Sequence, residues 1–72
     1  MYLIEYLIEP LEDAPAVHSE LALGTTLEEA IDQADRHLTA AAAKYNARGY
    51  RIVGANKVRV AIGPQGHLHG PE

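Results

Sequence analysis

Few residues of this chain are of types, and at spacings, that could do chemistry. His67-Leu68-His69 places two imidazoles two residues apart, so in an extended segment both would share one side and could hold a metal ion together. A structural zinc takes four ligands, and the Gly- and Pro-rich surroundings supply neither the other two nor a rigid frame, so no metal site is expected. His18-Ser19 is the one His-Ser neighbour pair. Neighbours in a strand point to opposite faces, which prevents the pair from acting as base and nucleophile, and no Gly-x-Ser-x-Gly elbow surrounds it. Glu12-Asp13 and His18-x-Glu20 could offer oxygen and nitrogen ligands or an acid–base pair. Acids in a loop between two prolines read more simply as solvated.

Two further segments resemble binding motifs in part. Arg48-Gly49-Tyr50-Arg51-Ile52-Val53-Gly54-Ala55 overlaps the RNA-recognition consensus, but Ile52 and Ala55 replace aromatics that would stack bases. It reads better as a helix end followed by a strand. Gly63-Pro64-Gln65-Gly66 spells GxxG without the basic, helix-flanked setting of a nucleic-acid clamp. There is no P-loop or dinucleotide fingerprint. No catalytic residue and no cofactor is expected from these patterns.

The elements that would carry these residues are legible from periodicity. Residues 2–9 alternate, with Tyr2, Ile4, Tyr6 and Ile8 on one side and Leu3, Glu5, Leu7 and Glu9 on the other, and Pro10 ends the run. Residues 16–23 suggest a second strand, with Val17, Leu21 and Leu23 on one side and His18, Glu20 and Ala22 on the other. Thr26 and Glu29 form a capping-box pattern ahead of Leu27, Ala30, Ile31, Ala34, Leu38, Ala41 and Tyr45 at helical spacing. The spacing predicts a helix over about 27–48, closed by Gly49 as the residue after its C-cap. Residues 50–53 and 57–62 read as two strands, with one long strand over 50–62, of the same parity, as the alternative. A three-residue loop 54–56 would set Ile52 against Val58 and Tyr50 against Val60, with Asn56 left-handed.

This pattern predicts an α+β domain over residues 1–63: two layers, an antiparallel sheet of three to four strands in the order β(β)αββ, and one long helix on one face. Residues 64–72 read as a mobile Gly/Pro/His tail. The other sheet face would carry Leu3, Glu5, Leu7 and Glu9 with Arg51, Val53, Lys57 and Arg59. If the first strand lies beside the hairpin, Glu5 and Glu9 meet the bases across strands. Leu3, Leu7 and Val53 would then form an apolar strip rimmed by Glu5, Arg51 and Arg59, and these six residues are the candidate contact site.

Composition bears on function by exclusion. The chain has 72 residues, no Cys and no Trp or Phe, and apolar types make 47 % of it. That excludes disulfides and thiolate-held metals, and no run of about 18 apolar residues could cross a membrane. The start of the chain lacks a basic signal region, so a cytoplasmic location is expected. A chain this short buries only roughly 60 % of its surface on folding, which makes a second subunit a reasonable expectation. All six bases fall after residue 35 and nine of the ten acids fall before 36. The net charge of −4 opposes phosphate binding, so nucleic acid is disfavoured as a partner and the two halves are expected to interleave their charges.

The segment Gly24-Thr25-Thr26-Leu27-Glu28-Glu29-Ala30-Ile31 resembles the helix start of HicB-type antitoxins, which also place strands before and after such a helix. That resemblance implies a partner-binding, oligomeric small domain. The Pro-Asp-Leu-Pro-Gly-Cys-like turn of that family is absent here, and the hairpin after the helix is longer.

Three functional expectations follow. The first is a non-enzymatic interaction module that self-associates through the open sheet face. The second is an antitoxin-like regulatory module whose basic hairpin contacts a heterologous acid-rich protein or nucleic acid. The third is a small enzyme or ligand-binding subunit with a pocket between subunits, using His18, Tyr45 or Arg36.

Overall fold

The structure, a computed structural model, describes residues 1–11 and 13–64. Glu12 and residues 65–72, with the His67 and His69 pair, lie outside the described residues. The chain runs β1 (Leu3–Leu7), β2 (Ala16–Leu21), α1 (Leu27–Tyr45), β3 (Gly49–Val53), a 3-10 turn (Ala55–Lys57) and β4 (Arg59–Gly63). The strands form one antiparallel sheet in the order β2-β1-β3-β4, with α1 against one face. This is the expected two-layer α+β architecture. Among the described residues no helix is long and apolar enough to cross a membrane.

The helix begins where its capping chemistry places it. Thr26 Oγ1 accepts from the Glu29 N–H at 3.1 Å, and the Glu29 carboxylate accepts from the N–H groups of Thr25 and Thr26 at 2.8 and 3.1 Å. Those donors hold the Glu29 carboxyl below its ordinary range, the backbone N–H of Thr25 foremost. Its end differs from expectation. Asn46, not a glycine, takes the left-handed position with φ of 62°, and its N–H bonds the Ala42 carbonyl at 3.1 Å. Asparagine tolerates that conformation, so the helix closes early and Gly49 is released to begin β3.

The helix face meets the sheet as the periodicity predicts. Ala30, Ala34 and Ala41 are buried against Ile4, Tyr6, Tyr50 and Ile52, with Leu27, Ile31, Leu38 and Tyr45 packed around them. Alanine at the contact lets the helix lie close to the four large side chains, which are almost wholly buried. Each buried phenol finds a carboxylate at the rim of this core: Tyr6 donates to Glu20 at 3.0 Å and Tyr50 donates to Asp35 at 2.7 Å.

Three strand expectations need correction. β1 stops at Leu7, so Ile8 is 41 % exposed and Glu9 lies past the ladder. β2 stops at Leu21 rather than running to residue 23; His18 and Glu20 lie on the helix side, because Ile4 pairs with Glu20 and Tyr6 with His18, Val17 beside the bulge packs on that core too, and Leu21 and Leu23 are left exposed. In the hairpin, Asn56 is left-handed as expected, but so is Lys57, and the connection is longer than three residues. Ile52 therefore opposes Ala61, Tyr50 opposes Gly63 and Ile62 opposes Arg51, while a bulge restores Arg59 opposite Val53. Val58 and Val60, expected in the core, are half exposed. Tyr50 covers Gly63 so closely that a Cβ there would overlap the ring.

Candidate functional site

The second face of the sheet holds the residues singled out from sequence. The register puts Leu3 opposite Val53, Glu5 opposite Arg51 and Leu7 opposite Gly49. Glu5 accepts from Arg51 Nε at 2.6 Å, the cross-strand pair that the charge pattern predicted. Arg59 Nη1 donates to Asp13 at 3.0 Å, a contact to the loop. Glu9 is not on the ladder. Leu3, Glu5, Arg51, Val53, Lys57 and Arg59 line one concavity of about 230 Å³.

Of the expected apolar strip only Leu3 is partly exposed. Leu7 is fully buried and Val53 is 8 % exposed, yet neither belongs to the helix-side cluster. The loop between β1 and β2 reaches this face at Asp13 and Ala14. Ala14 is buried, and its carbonyl accepts from Arg51 Nη1 at 3.2 Å. Arg51 thus joins the sheet to the loop while its charge is met by Glu5. The sequence showed alternation on β1 but carried no signal that a polar, proline-flanked loop would return to this face.

A second cluster was missed. One oxygen of Glu20, Oε2, accepts from Tyr6 Oη at 3.0 Å and Gln33 Nε2 at 2.9 Å, and sits 2.7 Å from His37 Nδ1. Burial pushes the Glu20 carboxyl up, but the bonds from Gln33, His37 and Tyr6 together outweigh it and hold it below its ordinary range. Burial, reinforced by the bond to Glu20, pushes the Tyr6 phenol well above its usual value. Gln33 and His37 stand four apart, one turn on the same helix face, which is the spacing that could have revealed them.

Gln33 also acts on the sheet edge. Its side-chain amide accepts from the Leu23 N–H at 2.8 Å and donates to the Leu21 carbonyl at 3.2 Å. A single amide thereby takes the place of a neighbouring strand at that end of β2. Beyond it the outer side of β2 is uncovered, and Leu21 and Leu23 are 56 % and 88 % exposed.

Of the residues of the expected inter-subunit pocket, His18 and Tyr45 come together and Arg36 stands apart. His18 stacks on Tyr45 with ring centres 4.6 Å apart and on Tyr6 at 6.0 Å. Arg36 lies on another groove, paired with Asp32 one turn away at 3.2 Å. Ser19 and His18 are adjacent, and both are exposed. Among the described residues no group of three or more His, Asp or Glu is placed to hold a metal ion.

No protein-family model, no curated protein and no solved structure matches this chain. The segment 24–31 that resembles an antitoxin helix start is accounted for by the capping box and the apolar helix face described above.

Proposed function

We propose that the protein is a non-enzymatic interaction module that works as a homo-oligomer, with its contact on the β2 side of the sheet. The carrying observation is the exposure of Leu21 and Leu23 beside an uncovered edge strand, while Leu7 and Val53 of the second face are buried. Apolar side chains of this size next to unpaired strand backbone favour association with another chain. Light scattering across a range of concentrations is expected to show a dimer or larger species. A Leu21→Lys/Leu23→Lys double variant should be monomeric with an unchanged far-ultraviolet spectrum. A variant that associates like the parent overturns the reading.

A second reading rests on the concavity where Arg51, Lys57 and Arg59 lie together. It takes an acid-rich segment of a heterologous protein as partner, and its affinity should fall steeply with salt. An acidic peptide whose binding is unaffected by Lys57→Glu and Arg59→Glu would remove it.

A further inference from the structure

The hydrogen bonds around β2 show which of its groups a further strand would use. The Ala22 N–H bonds the Tyr2 carbonyl at 2.9 Å, so Tyr2 and Ala22 extend the β1–β2 ladder as a hydrogen-bonded pair. Such pairs alternate along an antiparallel ladder, so the N–H and C=O groups of Leu21 and Leu23 point away from β1. Gln33 takes one group from each. Its Oε1 accepts from the Leu23 N–H at 2.8 Å, and its Nε2 donates to the Leu21 carbonyl at 3.2 Å. These are the two groups that one residue of a parallel strand, set opposite Ala22, would bind. The amide fits only one way round. Turned over, its oxygen would face the Leu21 carbonyl and the Glu20 carboxylate, and its nitrogen would face the Leu23 N–H. Gln33 is buried, which shields these bonds from water.

We infer that Gln33 is a gate on the β2 edge: its amide stands in for one residue of a neighbouring strand and keeps further strands from adding to the sheet there. The other end of the edge is shaped to the same purpose. Pro15, which has no N–H, directly precedes β2. Beside it the register slips, with Tyr6 opposite His18 and Leu7 opposite Ala16, so Val17 is an extra residue that bends the strand. A proline, a bulge and a covering side chain are three separate ways to protect a sheet edge. Only residues 18–20 lie between these guards, a length at the lower limit for a strand. A methionine would fill the space of Gln33 without reaching the backbone, so packing alone does not require an amide at this position. The gate does not depend on the self-association proposed above. With the edge backbone closed at this end, that contact is left to the side chains of Leu21 and Leu23.

The test compares Gln33→Met with Tyr6→Phe. Each takes one donor from the Glu20 carboxylate, but only the first releases the Leu21 carbonyl and the Leu23 N–H. Amide hydrogen exchange reads the edge, and light scattering reads association. The parent and Tyr6→Phe should protect the Leu23 N–H at every concentration. In dilute Gln33→Met that N–H should exchange roughly tenfold faster, the loss of about one hydrogen bond. As concentration rises it should regain protection, together with species larger than the parent's. If Gln33→Met associates no more than Tyr6→Phe does, Gln33 is not a gate. If it associates while the Leu23 N–H stays open to exchange, the added contact is not strand addition and the inference falls as well. A parent chain that is monomeric throughout removes the proposed self-association and leaves this comparison intact. Should Gln33→Met fail to fold, Gln33→Asn, whose amide is one carbon short of the edge, makes the same comparison.

Discussion

On the helix side of the sheet, Ile4, Tyr6, Tyr50 and Ile52 press on helix alanines, and polar groups appear only at the rim, where Glu20 and Asp35 receive the two phenols. On the other side, Leu7 and Val53 are buried on the face that the loop reaches at Ala14, and a charged pair, Glu5 with Arg51, sits among them. The first face is closed by a regular element whose apolar stripe matches the sheet. The second meets an irregular segment that needs a side-chain donor, Arg51, to satisfy the Ala14 carbonyl it brings inside. Apolar burial is non-directional and tolerates small shifts, whereas a buried ion pair requires its geometry. The two faces should therefore fail differently.

The largest test compares equivalent truncations. Ile4→Ala and Leu7→Ala each remove a fully buried side chain and should each cost about 2–5 kcal/mol in denaturant unfolding. If Leu7→Ala costs under about 1 kcal/mol, Leu7 is not part of a core and the comparison breaks. Next comes the ion pair. Glu5→Ala removes the carboxylate bonded to the buried Arg51 Nε and should destabilise by about 2–3 kcal/mol, discounted because Glu5 is partly exposed. A Glu5→Leu/Arg51→Met double variant should recover most of that loss, since apolar pairs of similar size replace buried ion pairs with little penalty. Neither change should alter helix content.

The acid response sharpens the contrast on the helix side. The folded-state carboxyl of Glu20 is held low, so its contribution is present above the unfolded value and is lost as pH falls through the folded one. Stability should decline on acidification through the carboxylate range, and Glu20→Gln should flatten that decline. Tyr6 acts in the opposite direction: its phenol is raised, so stability should be intact below about pH 10 and fall above it, a loss absent from Tyr6→Phe. The smallest effect belongs to Arg59→Ala. Its partner Asp13 is 93 % exposed, and the loss should stay within about 0.5 kcal/mol.

Much of the helix side was legible in the sequence because period and chemistry agreed there. Thr26 with Glu29 fixed the start of α1, and the seven-residue apolar stripe named its buried face. Glu5 against Arg51 followed from alternation once β1 was placed beside β3. The hairpin register was not legible, because two consecutive left-handed residues and a bulge are decided by the folded context rather than by residue type alone. The approach of the loop to the second face at Ala14 was hidden for a related reason: a loop's path depends on distant partners, here Arg51. The Glu20 cluster escaped notice because it joins strand and helix residues that share no sequence neighbourhood.

The contact between Tyr50 and Gly63 bears on how this chain can drift under mutation. An alanine at 63 is ordinarily among the mildest of changes, but here it would evict the ring whose phenol is tied to Asp35 of the helix. A substitution at the last residue of the sheet's edge strand would thus be felt in the seating of the opposite layer. Neutral paths through position 63 are closed unless position 50 shrinks first. Gly63 and Tyr50 consequently behave as one inherited unit spread over two strands, and a library that randomises position 63 alone should return almost only glycine.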